Sequence, residues 1–233
     1  MIAVSKSIHD ILHLFFPHVC TGCGSDLLSK ESLLCVQCIS NLPHTGFALI
    51  ANNPVERVFA GRLPVRAAHS EFYFSKGQLV QQLIHELKYK GNKQIGHYLG
   101  THIGYSISTS ARFAGIDYIV PLPLYASKEF KRGYNQAAVI SHGIAEITQV
   151  PVLLNNVIRK RQTETQTRKH RAERWQNVDG SFYIQNPGQL EGKNILLVDD
   201  VITTGATLEA CARAILQIPG TSISLAALAH ASK

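Results

Sequence analysis

The sequence predicts an α/β protein whose mostly parallel, twisted sheet is flanked by helices, preceded by a small amino-terminal module built on four cysteines. From residue 67 onward, strand-like and helix-like patterns alternate, which is typical of parallel sheets joined by helical crossovers. Before that point, residues 18–45 contain two closely spaced cysteine pairs in a stretch too short to bury a core. Residues 194–207 read NILLVDDVITTGAT, which indicates a buried strand, two acids, a turn and a helix.

The composition fits a globular protein with anionic partners. The 233 residues are 45% hydrophobic, and the net charge of +7 favours phosphates or nucleic acid without choosing between them. The longest apolar runs, at 119–125 and 223–229, are shorter than the roughly 20 residues that cross a bilayer, so no membrane insertion is expected. The amino terminus contains Asp10 and Pro17 and lacks the charged-then-apolar order of a signal peptide, which predicts a cytoplasmic protein.

The first predicted element is an amphipathic helix that docks on the cysteine module. Ser7 and Asp10 form a capping pattern at its start, and Pro17 ends it. Its apolar face is expected to consist of Ile8, Ile11, Leu12, Phe15 and Phe16.

The cysteines of the next segment have the spacing of a structural zinc site. Two Cys-x2-Cys knuckles, separated by eleven residues, can place four thiolates tetrahedrally around Zn²⁺ and fill its coordination sphere. Disulfides are the alternative, and a reducing cytoplasm disfavours them. Cys211 is expected in the core, while His18 and His44 are expected at the surface or beside the ligands. The predicted ligands are Cys20, Cys23, Cys35 and Cys38, with Gly22 and Gly24 permitting the first tight turn.

A linker is predicted between this module and the sheet. Periodicity is interrupted there by Asn52, Asn53, Pro54, Gly61 and Pro64. The chain is therefore divided into a helix and zinc module at 1–46, a linker leading into a hood at 47–66, and the α/β domain at 67–233.

The predicted elements of the α/β domain follow from the period of the apolar residues. Period-2 or continuous apolar runs predict strands, and apolar residues three or four apart predict helices. Strands are expected at 67–74, 116–122, 152–158, 181–184, 194–198 and 221–228. Helices are expected at 77–89, 93–109, 134–148 and 205–217.

The strongest functional signal is the strand–acid–turn motif at 194–207. Ligands of open α/β sheets bind at the carboxyl ends of strands, which is where Asp199 and Asp200 are expected. A turn at a helix amino terminus offers backbone amides and hydroxyls to a phosphate, and an ordinary capped turn is the alternative. A Walker-type loop does not fit, because GxxxxGK[ST] is absent. The predicted phosphate-binding residues are Thr203, Thr204, Gly205, Ala206 and Thr207.

This motif resembles the signature with which type I phosphoribosyltransferases bind 5-phosphoribosyl-1-pyrophosphate (PRPP). The resemblance implies the type I phosphoribosyltransferase fold and a ligand of PRPP with Mg²⁺. It further implies that Asp199 and Asp200 hold the ribose 2′ and 3′ hydroxyls, and that residues 203–207 hold the 5′-phosphate.

A second segment that resembles the family's pyrophosphate loop follows the strand at 116–122. In PLPLYASKEFKRGYNQA, cations precede a helix start near Tyr134, and a cationic turn beside a helix amino terminus suits pyrophosphate. A solvated turn with ordinary surface lysines is the alternative. The residues predicted to bind are Lys128, Lys131, Arg132 and Gly133.

A third segment, the basic run from 159 to 174, lies where the family has a loop that closes over the site. It carries seven basic residues against two acids, and its polar composition suits a lid that orders around a charged ligand. Cationic donors there would stabilise the charge that develops on a leaving pyrophosphate. A nucleic-acid-facing or merely solvated loop is the alternative. The candidates are Arg168, Lys169, Arg171 and Arg174.

Together these segments resemble the ComF family over nearly the whole chain. The pieces LFFPHVCTGCG, LKYKGNKQIG, VPLPLYASKEFKRGYNQA, the TETQTRKHRAERWQNVDGSF region and VDDVITTGAT occur in the family's order. The resemblance implies a zinc ribbon joined to a phosphoribosyltransferase domain. It also implies a role in natural transformation, with imported single-stranded DNA and other competence proteins as partners, whereas some relatives are named for gluconate use.

Two functions are therefore expected, and the sequence leaves open whether the protein is an enzyme. The first is a PRPP-binding protein of DNA uptake that contacts DNA mainly by charge. The second is an active glycosyltransferase for a pentosyl group in nucleotide or sugar metabolism, whose acceptor and general base are not legible. Glutaminase chemistry is not expected, because the chain begins Met1-Ile2 rather than with a nucleophilic cysteine.

Overall fold

The computed structural model describes residues 18–26, 32–75, 78–159 and 181–231. The predicted amino-terminal helix lies outside these residues, as do the lid candidates Arg168, Lys169, Arg171 and Arg174. The strands are β1 (Val65–Tyr73), β2 (Tyr118–Pro121), β3 (Val157–Arg159), β4 (Phe182–Ile184), β5 (Asn194–Ile202) and β6 (Ser222–His230). The helices are α1 (Val36–Ser40), α2 (Pro54–Phe59), α3 (Leu79–Tyr89), α4 (Lys93–Ser108), α5 (Ala126–Arg132), α6 (Gln136–Thr148) and α7 (Ala206–Ile215).

The main sheet is parallel, as predicted, with the strand order β1-β6-β5-β2. Leu197 of β5 aligns with Val120 of β2 on one side and with Leu225 of β6 on the other. Strands buried on both faces are expected to be continuously apolar, and residues 195–198 are fully buried. The sheet therefore supplies the core that the alternating sequence pattern predicted.

Helices cover both faces of this sheet. On one face, α3, α4 and α6 pack with the cysteine module in one apolar cluster, and on the other α2, α7 and the β3–β4 pair form a second cluster. Helices α4 and α6 pack so closely that the backbone of one contacts the backbone of the other. A Cβ on Gly143 would lie 2.1 Å from the carbonyl oxygen of His97, and one on Gly100 would lie 2.3 Å from that of Ile140. Glycine is therefore required at both positions of this helix contact.

The prediction of a single strand at 152–158 was wrong. Val152 forms one parallel bridge with Ile119, and the chain then turns through Asn155, whose φ is +60°. Strand β3 starts only at Val157 and pairs antiparallel with β4. The turn is fixed by Asn156, whose side-chain Oδ1 accepts from the backbone N–H of Asn186 at 2.7 Å.

The predicted turn at 126–133 is instead a short helix, α5. Residues 126–132 read ASKEFKR, which contains good helix formers, and Gly133 ends the helix in the left-handed conformation with φ +77°. The cations predicted for pyrophosphate therefore lie on a helix surface rather than on a loop.

The segment predicted as a linker is packed against the sheet domain. Val55 and Phe59 of α2 are fully buried. Asn53 caps α2, and its side-chain amide donates to the carbonyl of Ala68 in β1 at 2.8 Å. The boundaries 1–46, 47–66 and 67–233 remain predictions, but residues 47–66 are an ordered layer over one face. Among the described residues, no helix is both long enough and apolar enough to span a membrane.

Candidate ligand site and metal centre

The two acids of the motif lie at the carboxyl edge of the sheet, as predicted. Strand β2 ends at Pro121, which aligns with Val198, so Asp199 and Asp200 extend beyond their neighbour strand. Strand β5 continues to Ile202, four residues further than the sequence predicted, because it still pairs with β6 there. In the described part of the chain, the two acids therefore have no paired strand beside them on the side of β2. Open α/β sheets bind ligands at this carboxyl edge.

Asp200 forms an ion pair with a residue that the sequence analysis missed. The Nζ atom of Lys88, near the end of α3, lies 2.9 Å from Asp200 Oδ1, and both side chains are mostly shielded from solvent. Lys88 belongs to the LKYKGNK stretch, whose charge gave no sign of a partner. The pair holds a cation at the same edge as the motif.

Asp199 has different surroundings from its neighbour. Burial, and then the negative charge of Asp200, raise the pKa of Asp199 to about 7. The backbone N–H of Asp200 donates to its Oδ1 at 2.8 Å, and Lys88 and Arg159 act electrostatically against the rise. Near neutral pH, the carboxyl group of Asp199 can therefore either donate or accept a hydrogen bond. Asp200, by contrast, has its negative charge paired with the ammonium group of Lys88.

Arg159 is a second residue that the sequence analysis did not single out for the site. Its guanidinium carbon lies 3.9 Å from the ring centre of Tyr125 and 5.4 Å from that of Phe182. Its Nε is buried without a hydrogen-bond acceptor among the described residues. Because a buried polar group without a partner is costly, Arg159 is a candidate for binding an anion near Asp199.

The turn after the acids has the conformation that a phosphate site needs. Gly205 has φ +71°, and a Cβ there would lie 2.6 Å from the ring of Phe59. Gly205 occupies the N-cap of α7 and has no side chain to cap it, while Thr204 Oγ1 lies 3.5 Å from the backbone N of Ala206, the first residue of the helix. The turn therefore lies at the positive end of the dipole of α7. Exposed Thr203 and Thr204 precede Gly205, with Thr207 half-buried.

Residues of the segment 47–66 hold this turn in place. Arg62 donates to the carbonyl of Thr204 at 3.2 Å and pairs with Glu209 of α7. Arg213 also contacts Glu209, with 2.9 Å between Nη2 and Oε1. Sequence periodicity could not assign this role, because the contacts join segments far apart in the chain.

The predicted pyrophosphate residues are only partly brought to the site. Lys128 and Lys131 are exposed on α5, and no described contact ties them to the acids. Arg132 donates to Gln136 at 2.6 Å and lies over the ring of Tyr89 at 5.6 Å, which places it beside the end of α3. Gly133 ends α5.

One cavity in the described part of the protein lies away from these groups. It has a volume of about 360 Å³ and is lined by the ends of α4 and α6 and by residues at the start of β2, including Ile107, Phe113, Ile116 and Ile147. This is the amino edge of the sheet. Of the motif at 194–207, only Leu196 in the middle of β5 lines it, and neither the acids nor the turn at 203–207 does, so the cavity is separate from the predicted phosphate site.

The four predicted ligand cysteines come together as a candidate metal centre. Their sulfur atoms all lie within 4.8 Å of one another. The N–H of Cys35 donates to the sulfur of Cys20 at 3.2 Å, and that of Cys38 donates to the sulfur of Cys35 at 3.4 Å. Hydrogen bonds from Ser25 lower the pKa of Cys23 to about 6. Four convergent sulfurs suit a closed tetrahedral metal. Cys211 is buried in the core, as predicted.

Comparison with known proteins finds one matching domain family and several relatives. Residues 134–233 match the family of the phosphoribosyl transferase domain. The chain is 34% identical to "Competence protein F" of Haemophilus influenzae over 48% of this chain and 50% of that protein. It is 27% identical to "Competence protein ComFC" of Bacillus subtilis over 85% of this chain and 78% of that protein. It is 28% identical to "DNA utilization protein YhgH" of Escherichia coli over 58% of this chain and 60% of that protein. The match thus spans half of the Haemophilus protein's length and 60% of the Escherichia protein's.

Among solved structures, the chain is similar to adenine phosphoribosyltransferases. One from Saccharomyces cerevisiae is 19% identical over 67% of this chain and 70% of that chain, with a TM-score of 0.35. One from Leishmania tarentolae is 10% identical over 82% and 94%, with a TM-score of 0.38.

Proposed function

Because the chain is a ComF-type protein with a phosphoribosyltransferase domain, we propose that it binds PRPP at the carboxyl edge of its sheet and acts in the handling of imported single-stranded DNA during natural transformation. The observation that carries this proposal is that two acids and the glycine-started amino terminus of α7 lie at one edge of the sheet. The names of the relatives, competence and DNA utilization proteins, support the biological role.

The proposed pose follows from the chemistry of each group. The ribose hydroxyls lie on Asp199 and Asp200, which can accept hydrogen bonds from them. The 5′-phosphate lies on the amides and hydroxyls of residues 203–207, where Gly205 removes the side chain that would block close approach. Phe59 behind this glycine makes the turn a rigid cradle.

The diphosphate is assigned to cations around the acids. Lys88 and Arg159 are buried or half-buried near Asp200 and Asp199, and Arg132 approaches from α5. Mg²⁺ would reach the site bound to the PRPP oxygens, which are the hard ligands it prefers. The lid residues Arg168, Lys169 and Arg171 would add donors on closure, and Lys128 and Lys131 would contribute long-range attraction.

The cysteine centre is proposed to hold structural Zn²⁺. Four thiolates complete a tetrahedral sphere and leave no position for a substrate. We place the zinc module at 1–46 and the phosphoribosyltransferase domain at 67–233, with residues 47–66 serving as the layer that supports the phosphate turn.

A titration of Mg²⁺-PRPP tests the site. Asp199→Asn and Asp200→Asn are each expected to weaken binding at least about tenfold, because each removes a charge-assisted hydrogen bond. The matched control is Glu146→Gln, an exposed carboxylate on α6 that pairs with His97. Unchanged affinity in both aspartate variants would place PRPP elsewhere or exclude it.

A catalytic phosphoribosyltransferase with an undefined acceptor is the alternative. It uses the same site, so the two functions differ in pyrophosphate release rather than in binding. Incubating the protein and Mg²⁺-PRPP with nucleobases, ammonia and sugar acceptors would show release above the acceptor-free rate if transfer occurs. Binding without release for every acceptor favours the binding role.

One surface favours DNA as a partner. Tyr89 is 65% exposed and Phe130 is 91% exposed, and both lie among the basic residues of α3 and α5. Exposed rings on a basic surface suit single-stranded nucleic acid, because bases stack on the rings while cations track the phosphates. Phe130 was not singled out from the sequence.

A further inference from the structure

A cluster of histidines with one glutamate lies at the edge of the sheet, apart from both proposed sites. Strand β1 is an edge strand of the described sheet, and the segment before the short 3₁₀ helix Phe47–Leu49 pairs with it. The N–H of Tyr73 donates to the carbonyl of Pro43 at 2.9 Å, and the N–H of Thr45 donates to the carbonyl of Glu71 at 3.0 Å. His44 is therefore held opposite Phe72 by backbone bonds on either side.

Glu71 is the centre of this cluster. Its side chain is only 2% exposed, and its Oε1 lies 2.6 Å from Nδ1 of His44. Its Oε2 lies 2.8 Å from Nε2 of His69, which is itself buried. From α4, His102 completes the group, with its ring centre 5.5 Å from that of His44.

One ligand atom from each of His44, Glu71 and His102 lies within 4.8 Å of the others. In a tetrahedral site with bonds of about 2.0–2.1 Å, ligand atoms are roughly 3.4 Å apart. The contact between His44 and Glu71 is shorter than this, so a small rotation of the His44 side chain would admit an ion. His44 can make that movement, because its side chain is 46% exposed.

The surroundings are those of a metal site with an open position. Two imidazoles and one carboxylate are a ligand set that transition metals accept while a fourth position stays free. His69 holds the second oxygen of Glu71, which is how outer residues orient metal-bound carboxylates. The rings of Phe72 and Tyr98 contact His102 and supply an apolar wall.

We propose that His44, Glu71 and His102 form a second metal site, which binds Zn²⁺ or a similar divalent transition ion through two imidazoles and one carboxylate. It is chemically distinct from the cysteine centre, because its ligands are nitrogen and oxygen. The ion joins the segment that follows the cysteine module to both β1 and α4. Mg²⁺ is disfavoured there, since it prefers an all-oxygen shell.

Cobalt substitution of the full-length protein tests the proposal. Co²⁺ at four thiolates gives intense sulfur-to-metal charge-transfer absorption, whereas Co²⁺ at a nitrogen and oxygen site gives only weaker visible bands. We expect a second equivalent of Co²⁺ to add visible absorption without further charge-transfer intensity. Zn²⁺ is expected to displace it, and the metal content after gel filtration should report both ions.

The variants His102→Ala and His44→Gln are each expected to lose the second equivalent and retain the thiolate spectrum. His69→Gln should weaken the second site by roughly 10–100-fold, the usual effect of removing a residue that orients a ligand. His97→Ala, which alters an exposed histidine on the same helix, is the matched control.

A single equivalent in the wild type, or a second equivalent that survives both His102→Ala and His44→Gln, would overturn the proposal. If a variant lost the thiolate spectrum as well, its fold would be compromised. The wild-type stoichiometry and the milder His69→Gln variant then still decide the question.

Discussion

The cysteine module and the parallel sheet differ in what can stabilise them. Within the described part of 18–46, the buried aliphatic side chains are Leu34 and Leu42. The sheet domain, by contrast, buries continuous runs from all four of its strands under helices on both faces. A small module therefore needs a metal where a domain with two apolar clusters does not. We therefore expect removal of the metal by a chelator to unfold the cysteine module before it affects the sheet domain.

Helix α3 limits that independence. Near its start, Leu79 packs against the backbone of Gly22, where an added Cβ would lie 2.6 Å from Leu79 Cδ1. Gln82 donates to the carbonyl of Thr21 at 3.4 Å. Near its other end, Lys88 pairs with Asp200. One helix thus contacts both the module and the proposed ligand site, so α3 is a route by which loss of the metal should affect the site.

Replacing a cysteine is expected to have the largest effect. Cys38→Ser should release the metal and unfold the module, because structural zinc binding is worth about 10–16 kcal/mol in small zinc domains. The sheet should still melt cooperatively. Metal content and amide exchange in the module and in β5 would measure both responses.

The matched control for this change is Cys211→Ala. It removes a buried thiol from the core rather than a ligand, so it should lower stability and leave the metal content unchanged. Simultaneous loss of exchange protection in the module and β5 of Cys38→Ser would mean that the two regions form one cooperative unit.

Gly205→Ala should have the next largest effect. It combines a strained φ of +71° with a clash against Phe59, and together these cost about 2–5 kcal/mol. Affinity for PRPP should fall with stability, while metal content stays constant. Gly115→Ala is the control, because it has φ +73° but nothing closer than 3.8 Å to the new Cβ. Equal losses in the two variants would show that backbone strain, not the close approach at the turn, decides the result.

Asp199→Asn is expected to stabilise the sheet domain at high pH. Burial, with Asp200, raises the pKa of Asp199 from 3.8 to about 7. The unfolded chain therefore ionises first, and stability is lost as the pH rises from about 4 through 7. Each pKa unit corresponds to about 1.4 kcal/mol. Removing the charge should therefore raise the free energy of unfolding by roughly 2–4 kcal/mol above pH 7 and by almost nothing at pH 4.

Chemical denaturation at pH 4 and pH 8 would measure this effect. The control is Asp200→Asn, which leaves Lys88 without its partner and should destabilise the protein at pH 8 instead. A gain for Asp199→Asn that is equal at both pH values would show that packing rather than ionisation is responsible. Gain of stability together with loss of PRPP binding is the expected sign of a functional acid.

Sequence reasoning located the features that are local in the chain. The four cysteines, a strand beginning at Asn194 and the turn at 203–207 were predicted because each is encoded by neighbouring residues, although the strand runs to Ile202 rather than to Val198. The helix α5 was missed because cations before a glycine suit a turn and a helix end equally well. Lys88 and the cluster around Glu71 were missed because their partners come from distant segments. The raised pKa of Asp199 was also missed, because it results from burial, and burial depends on packing that a sequence motif does not encode.

The smallest expected effect concerns which region carries DNA. Replacing Lys128 and Lys131 by Ala removes two exposed cations from α5. If single-stranded DNA lies on this helix, the slope of log affinity against log salt should fall by about 1.4, since each phosphate contact contributes about 0.7. Affinity for PRPP should fall much less than in Asp199→Asn, because the two lysines contribute only long-range attraction and neither has a described contact with the acids. Fluorescence anisotropy over a salt series would measure the slope.

The control for this double variant is Lys193→Ala, a half-exposed lysine that pairs with Asp117 at the amino edge of the sheet. It should leave the salt slope unchanged. An unchanged slope in the α5 variant, combined with a reduced slope after loss of the metal, would move the DNA contact from the sheet domain to the cysteine module. In that case the region without a core of its own would be the one that binds DNA, and α3 would be the physical link between the DNA contact and the proposed PRPP site.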